Sequence, residues 1–73
     1  MRYAVVYERA KDGSVWGYAP DIPGATGAGD TLEEARESVT AGIALWIEIA
    51  RERGVPVPQP RAVGSEFVEV SAA

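Results

Sequence analysis

Thr31 and Glu34 form a T-x-x-E pair at the head of an apolar series, Leu32, Ala35, Val39, Ile43, Trp46 and Ala50. The pair is a capping box, in which each residue satisfies a backbone N–H that the first helical turn leaves free. The series steps by the helical period. Glu33 and Glu34 fall in the first turn, where the helix dipole favours acid, and Arg51 and Arg53 fall in the last. Gly54 then supplies a residue suited to ending a helix. The spacing predicts one helix from Leu32 to Arg53, with Asp30 and Thr31 capping its start. Everything else in the chain must be arranged around that single long element.

The flanking segments read as strands. "RYAVVYER" (Arg2–Arg9) and "SVWGYA" (Ser14–Ala19) are rich in β-branched and aromatic residues, and "AKDG" between them is a turn. "PDIPG" (Pro20–Gly24) breaks regular structure because proline cannot donate to a ladder. "ATGAG" (Ala25–Gly29) is read as a short third strand. After the helix, "VPVPQP" (Val55–Pro60) is extended, close to polyproline II, and "SEFVEV" (Ser65–Val70) alternates as a last strand. The expected fold is α+β in the order β-β-β-α-β: an antiparallel hairpin sheet with one helix packed on one face. The last strand is expected parallel beside the first, through a right-handed crossover, or exchanged into a neighbouring subunit.

Pairing the first hairpin across a four-residue turn sets Tyr7 opposite Trp16 and Val5 opposite Tyr18. Tyr3, Val5, Tyr7, Trp16 and Tyr18 then share one face, and Ala4, Val6, Gly17 and Ala19 the other. The small residues would let Ile43 and Trp46 approach, so the helix is expected on that face. The aromatic face is left over, and an exposed apolar patch of this kind marks an interface. On the helix, Leu45 and Ile49 point away from the Val39–Ile43–Trp46 stripe, which suits a helix buried on two sides.

Composition narrows the chemistry. The chain has 73 residues, one domain's worth, and neither cysteine nor histidine. Disulfides, thiolate metal sites, thiol nucleophiles and the usual general base are excluded. A domain this small gains from an added staple, and oligomerisation, as dimer or tetramer, is the one left. The net charge is −4, from 11 acidic and 7 basic residues. That balance disfavours direct nucleic-acid binding and suits a basic partner. No apolar run reaches the length of a membrane span and no signal-peptide pattern is present, so the expected location is cytoplasmic.

"GATGAGDT" (Gly24–Thr31) is one letter from a phosphate-binding loop, but Asp30 stands where that loop needs lysine. The charge is wrong for phosphate. The reading preferred here is geometric: Gly27 and Gly29 turn the chain with positive φ. A two-metal nuclease would need clustered carboxylates, and the candidates Glu8, Asp21 and Asp30 each have a plainer role as strand-end charge, turn residue and cap. No enzyme activity, catalytic residue, metal or cofactor is expected.

The stretch "WGYAPDIPGATGAGDTLEEA" (Trp16–Ala35) resembles the HicB-type antitoxin domain, whose pattern is an aromatic strand, P-D-[LI]-P-G, then G-D-T-x-E-E-A. The resemblance extends from about Tyr3 to Pro60. Ala25 stands where many members carry cysteine. The resemblance implies a truncated ribonuclease H-like fold and a role in binding and silencing a small basic ribonuclease, the HicA toxin. The chain departs from longer members, which often carry a C-terminal DNA-binding domain: it ends about a dozen residues after "PQP", so a short, stand-alone form, a single HicB-like domain over 1–73, is expected and operator binding is not carried over. The alternative is an orphan module that self-associates or binds a small ligand. The candidate partner-binding residues are Tyr7, Trp16, Tyr18, Leu45 and Ile49; Gly24, Gly29, Asp30, Thr31 and Glu34 are expected to serve the fold.

Overall fold

The computed structural model describes residues 1–71. Three strands and one helix follow in order: β1 (Val6–Arg9), β2 (Val15–Tyr18), β3 (Thr26–Gly29) and α1 (Leu32–Glu52). The strands form one antiparallel sheet in the order β1-β2-β3.

The helix begins as its sequence dictates. Thr31 is the N-cap; its hydroxyl accepts from the Glu34 N–H at 3.1 Å. The Glu34 carboxylate returns the bond, accepting from the N–H of Thr31 at 3.3 Å and of Asp30 at 2.8 Å. Asp30 thus enters the cap through its backbone, while Thr31 supplies the capping side chain. At the other end Gly54 adopts φ 70°. Its N–H reaches the Arg51 carbonyl at 3.3 Å, and the Val55 N–H reaches the Ala50 carbonyl at 2.8 Å. These two bonds are the Schellman arrangement, which needs a left-handed residue where Gly54 stands.

The first hairpin differs from expectation by one residue. Ala10 N–H bonds the Ser14 carbonyl at 2.8 Å, so the loop proper is Lys11–Gly13. Gly13 has φ 89°, and the Asp12 carboxylate accepts from both the N–H and the hydroxyl of Ser14, at 2.9 and 2.6 Å. A three-residue loop closed by a left-handed glycine is a standard hairpin solution. It pairs Glu8 with Trp16 and Val6 with Tyr18. A one-residue slip moves every side chain of a strand to the opposite face. Val5 and Tyr7 therefore lie on the face of Gly17, where a Cβ would sit 2.9 Å from the Tyr7 ring and 3.3 Å from Val5.

The helix covers the face of Val15, Gly17 and Ala19, as expected for β2, but that face carries Val5 and Tyr7 from β1 rather than Ala4 and Val6. The core is made of Val15, Ala19, Ile22, Ala25, Ala35, Val39 and Ala50. Ile22 reaches it from the "PDIPG" segment, which is coiled tightly by bonds from Ile22 N–H to the Ala19 carbonyl and from Ala25 N–H to the Ile22 carbonyl. Tyr3, Ile43 and Trp46 close over this cluster. Leu32, expected in the buried stripe, is about half exposed: it begins the helix and lines open clefts beside β1.

The expected fourth strand is not formed. Ser65–Val70 is exposed and without regular structure. It follows β1 in the same direction: Ala62–Ser65 flank Arg2–Ala4, and Ser65–Phe67 flank Val5–Tyr7, with open clefts between. The expected parallel pairing with β1 is therefore not made: open clefts lie between the two segments, and their backbones form no ladder.

Candidate functional site

The glycines of the loop-like motif have a different use from the one their spacing suggests. Neither Gly27 nor Gly29 has positive φ; among the described residues that conformation belongs to Gly13, Gly24 and Gly54. Gly27 and Gly29 lie in β3 directly beneath α1. A Cβ on Gly27 would meet Val39 Cα at 2.6 Å, and one on Gly29 would meet the Ala35 nitrogen at 2.8 Å. From the helix side, a Cβ on Gly42 would meet the Thr26 carbonyl oxygen at 2.6 Å. The three glycines bring helix and strand to backbone contact, and no room for a phosphate is left there. Gly24, with φ 90°, ends the "PDIPG" turn in a conformation that side chains rarely adopt.

The sheet face turned away from the helix carries Val6, Glu8, Trp16 and Tyr18, by the register of the hairpin. Trp16 and Tyr18 stack with ring centroids 5.2 Å apart and planes at 29°. Trp16 remains 37% exposed. Glu8 is its cross-strand neighbour, so an acid stands beside the aromatic pair. Tyr7, grouped with this pair from sequence, is on the other face. Its ring covers the bare Cα of Gly17 and is half-buried. The signal that separates Tyr7 from Trp16 was the Asp12-Gly13 loop: glycine in its left-handed position shortens the loop and shifts the register.

The helix offers a second surface. Leu45 is 56% exposed and Ile49 is exposed beside a cleft formed with Trp46, Ala50, Arg53 and Val55. A larger apolar cleft of about 570 Å³ lies between the N-terminus and the helix, lined by Met1, Tyr3, Ile43, Ala44 and Ile47 with Glu48, Arg51 and Glu52 at its rim. Sequence reasoning missed it, because it depends on how the chain before β1 crosses the helix.

The carboxylates do not converge. Among the described residues no group of three or more acidic side chains is placed to hold a metal ion. Asp21 is engaged elsewhere: its carboxylate accepts from the N–H groups of Arg61 at 2.8 Å and Ala62 at 3.1 Å. Those two bonds, with the nearby Arg61 charge, hold its carboxyl below the ordinary value of 3.8. Asp12 is lowered likewise by the Ser14 hydroxyl and N–H. Among the described residues no helix is long and apolar enough to cross a membrane.

Residues 3–70 match the model of the HicB-like antitoxin of bacterial toxin–antitoxin systems. A UPF0150 protein of Synechocystis sp. is 44% identical over 54 residues, covering 70% of this chain and 75% of that protein. Antitoxin HicB 1 of Photorhabdus laumondii is 37% identical over 70 residues, covering 96% of this chain but 45% of its own length. Antitoxin HicB 2 of the same organism is 38% identical over 77 residues, covering 99% of this chain and 51% of its own length. The chain thus spans about half of each antitoxin, and its aromatic strand, the "PDIPG" turn with its buried Ile22 and the capped helix all lie within the matched residues 3–70. This protein belongs to the HicB-like antitoxin family.

Proposed function

We propose that the chain binds and neutralises a small basic ribonuclease of the HicA type by direct protein–protein contact, without chemistry of its own, and that it does so in the cytoplasm. The observation that carries this reading is the Trp16–Tyr18 stack on the uncovered sheet face of a family member, with Glu8 beside it. Aromatic faces next to a carboxylate suit arginine and lysine side chains, which gain from the ring and from the charge together. The net charge of −4 favours encounter with a basic partner. Leu45 and Ile49 form the second contact surface, on the helix, and Tyr7 supports the sheet from its inner face.

The test is binding to the HicA-like ribonuclease encoded nearest to this chain's reading frame, read as complex formation and loss of RNA cleavage. Trp16→Ala should weaken the complex by about 30-fold, the range of a buried aromatic anchor, without unfolding the monomer. Full inhibition by both Trp16→Ala and Leu45→Glu would remove the surface assignment. No binding by the parent chain would leave the orphan self-associating module as the better account.

A further inference from the structure

The outer side of α1 is not polar throughout. Glu37, Ala41, Leu45, Ile49 and the C-cap residue Arg53 step by four, and all five are exposed. Residues at this spacing form one of the ridges by which helices pack on one another. Leu45 is 56% exposed and Ile49 38%. The middle of the ridge is therefore apolar, with an acid at one end and a base at the other. An exposed apolar patch framed by charge is the mark of a contact surface.

Among the described residues this chain has nothing to lay on the ridge. Its neighbours Ser38 and Gly42 lie against β3: the Ser38 hydroxyl accepts from the Ala28 N–H at 3.1 Å, and Gly42 abuts the Thr26 carbonyl. The ridge thus runs along the β3 side of the helix, while Ile43 and Ile47 face Met1 and Tyr3 on the other side. The segment after the helix follows β1, at the opposite edge of the sheet. It is held there by the bond from Tyr3 to Pro58 and by the bonds from Arg61 and Ala62 to Asp21.

Charge selects the occupant. The chain as a whole carries −4, which suits a basic partner, but the ridge is balanced, Glu37 against Arg53. A basic surface would meet Arg53 at one end. A reversed copy of the same ridge meets an opposite charge at both ends. With a two-fold axis at Leu45, Leu45 faces its own counterpart, Glu37 faces Arg53 of the second copy, and Ala41 leaves room for Ile49 of the second copy. The flanking acids avoid one another in this register. Glu48 falls opposite Gly42, and Glu52 opposite Ser38, whose hydroxyl keeps a proton to donate.

We propose that a second copy of this chain packs on the Glu37–Arg53 ridge, with the two helices antiparallel and centred on Leu45, to form a two-fold dimer. The inference rests on the reading of Leu45 and Ile49 as a contact surface and names a second copy as its occupant. The Trp16–Tyr18 face stays open for the proposed ribonuclease.

The test is the mass of the purified chain, with no ribonuclease present, by light scattering across a dilution series. A dimer is expected. Leu45→Glu should raise its dissociation constant at least about 30-fold. Leu45 is exposed, so the variant should keep the parent's helical circular dichroism. Glu37→Arg and Arg53→Glu should each weaken self-association about tenfold at low salt, by setting like charges opposite each other. Mixed in equal amounts, the two variants should recover the parent's affinity as a heterodimer, because each then meets the opposite charge at both ends. A monomeric parent, a dimer untouched by Leu45→Glu, or a mixture that associates no better than either variant alone would each overturn the proposal. A monomer that still inhibits the ribonuclease overturns the dimer and keeps the toxin contact; a dimer of this register that fails to inhibit does the reverse.

Discussion

The β3 edge and the β1 edge belong to the same three-stranded sheet, yet one is sealed and the other open. The difference comes from side-chain size. At β3 the glycines strip away Cβ atoms, so α1 can come down to the backbone and lend Ser38 to an edge N–H. At β1 the side chains are Val, Tyr, Glu and Arg, too large for a helix to approach so closely, and among the described residues no hydrogen bond closes its outer edge. An open strand edge is a template for another strand. Among the described residues the helix therefore covers one edge and leaves the other open.

The sharpest way to break this comparison is to give the sealed edge a side chain. Gly27→Ala places a carbon against the helix backbone, where no flexible side chain can yield. It should destabilise by about 3 kcal/mol or more, lowering the thermal midpoint by ~12 °C or more. An unchanged midpoint would mean that the helix can lift from β3 freely. Thr31→Ala should remove about 1 kcal/mol by opening the cap from which the helix is aimed over β3, measurable by urea unfolding. At the open edge the effects should be smaller. Tyr3→Phe loses its bond to Pro58, for about 0.5–1 kcal/mol, with more rapid amide exchange around residues 58–62 as the accompanying sign.

The smallest effect on global stability should come from Asp21. Its folded-state carboxyl lies below 3.8, so its contribution is complete above that value and is lost as pH falls through the depressed one. The segment at Arg61 and Ala62 should hold at neutral pH and release only in stronger acid. The Arg61 and Ala62 amide shifts, followed against pH, should report that release. Asp21→Asn should abolish the transition; persistence of the same titration in that variant would assign it to another group.

Much of the fold was legible because its signals are local. The capping box, the stripe of Ala35, Val39 and Ala50, and the closing Gly54 act within a turn or two of themselves, and the helix occurs where they place it. The short β3 and the exposure of Trp16, Leu45 and Ile49 follow from similar short-range periodicity. What was not legible depends on geometry across elements. The register of β1 hinges on one loop residue, and counting the turn as Ala10–Gly13 instead of Lys11–Gly13 misplaces Tyr3, Val5 and Tyr7 together. Gly27 and Gly29 were assigned to a turn because their use lies in α1, several residues further along the chain. Ser65–Val70 reads as a strand by its alternation, but alternation names no partner, and a strand exists only when paired.

The glycine seam has a consequence in the space of possible mutations. At Val39 or Ile22 a substitution can trade one volume for another, and the core can drift by compensating pairs. At positions 27, 29 and 42 there is nothing smaller to trade for: every replacement adds at least one carbon to a contact already between backbones. The seam therefore has no neutral neighbours. Compensation would have to move the helix as a body, so the surfaces of this small domain can diverge while the line where α1 meets β3 stays fixed.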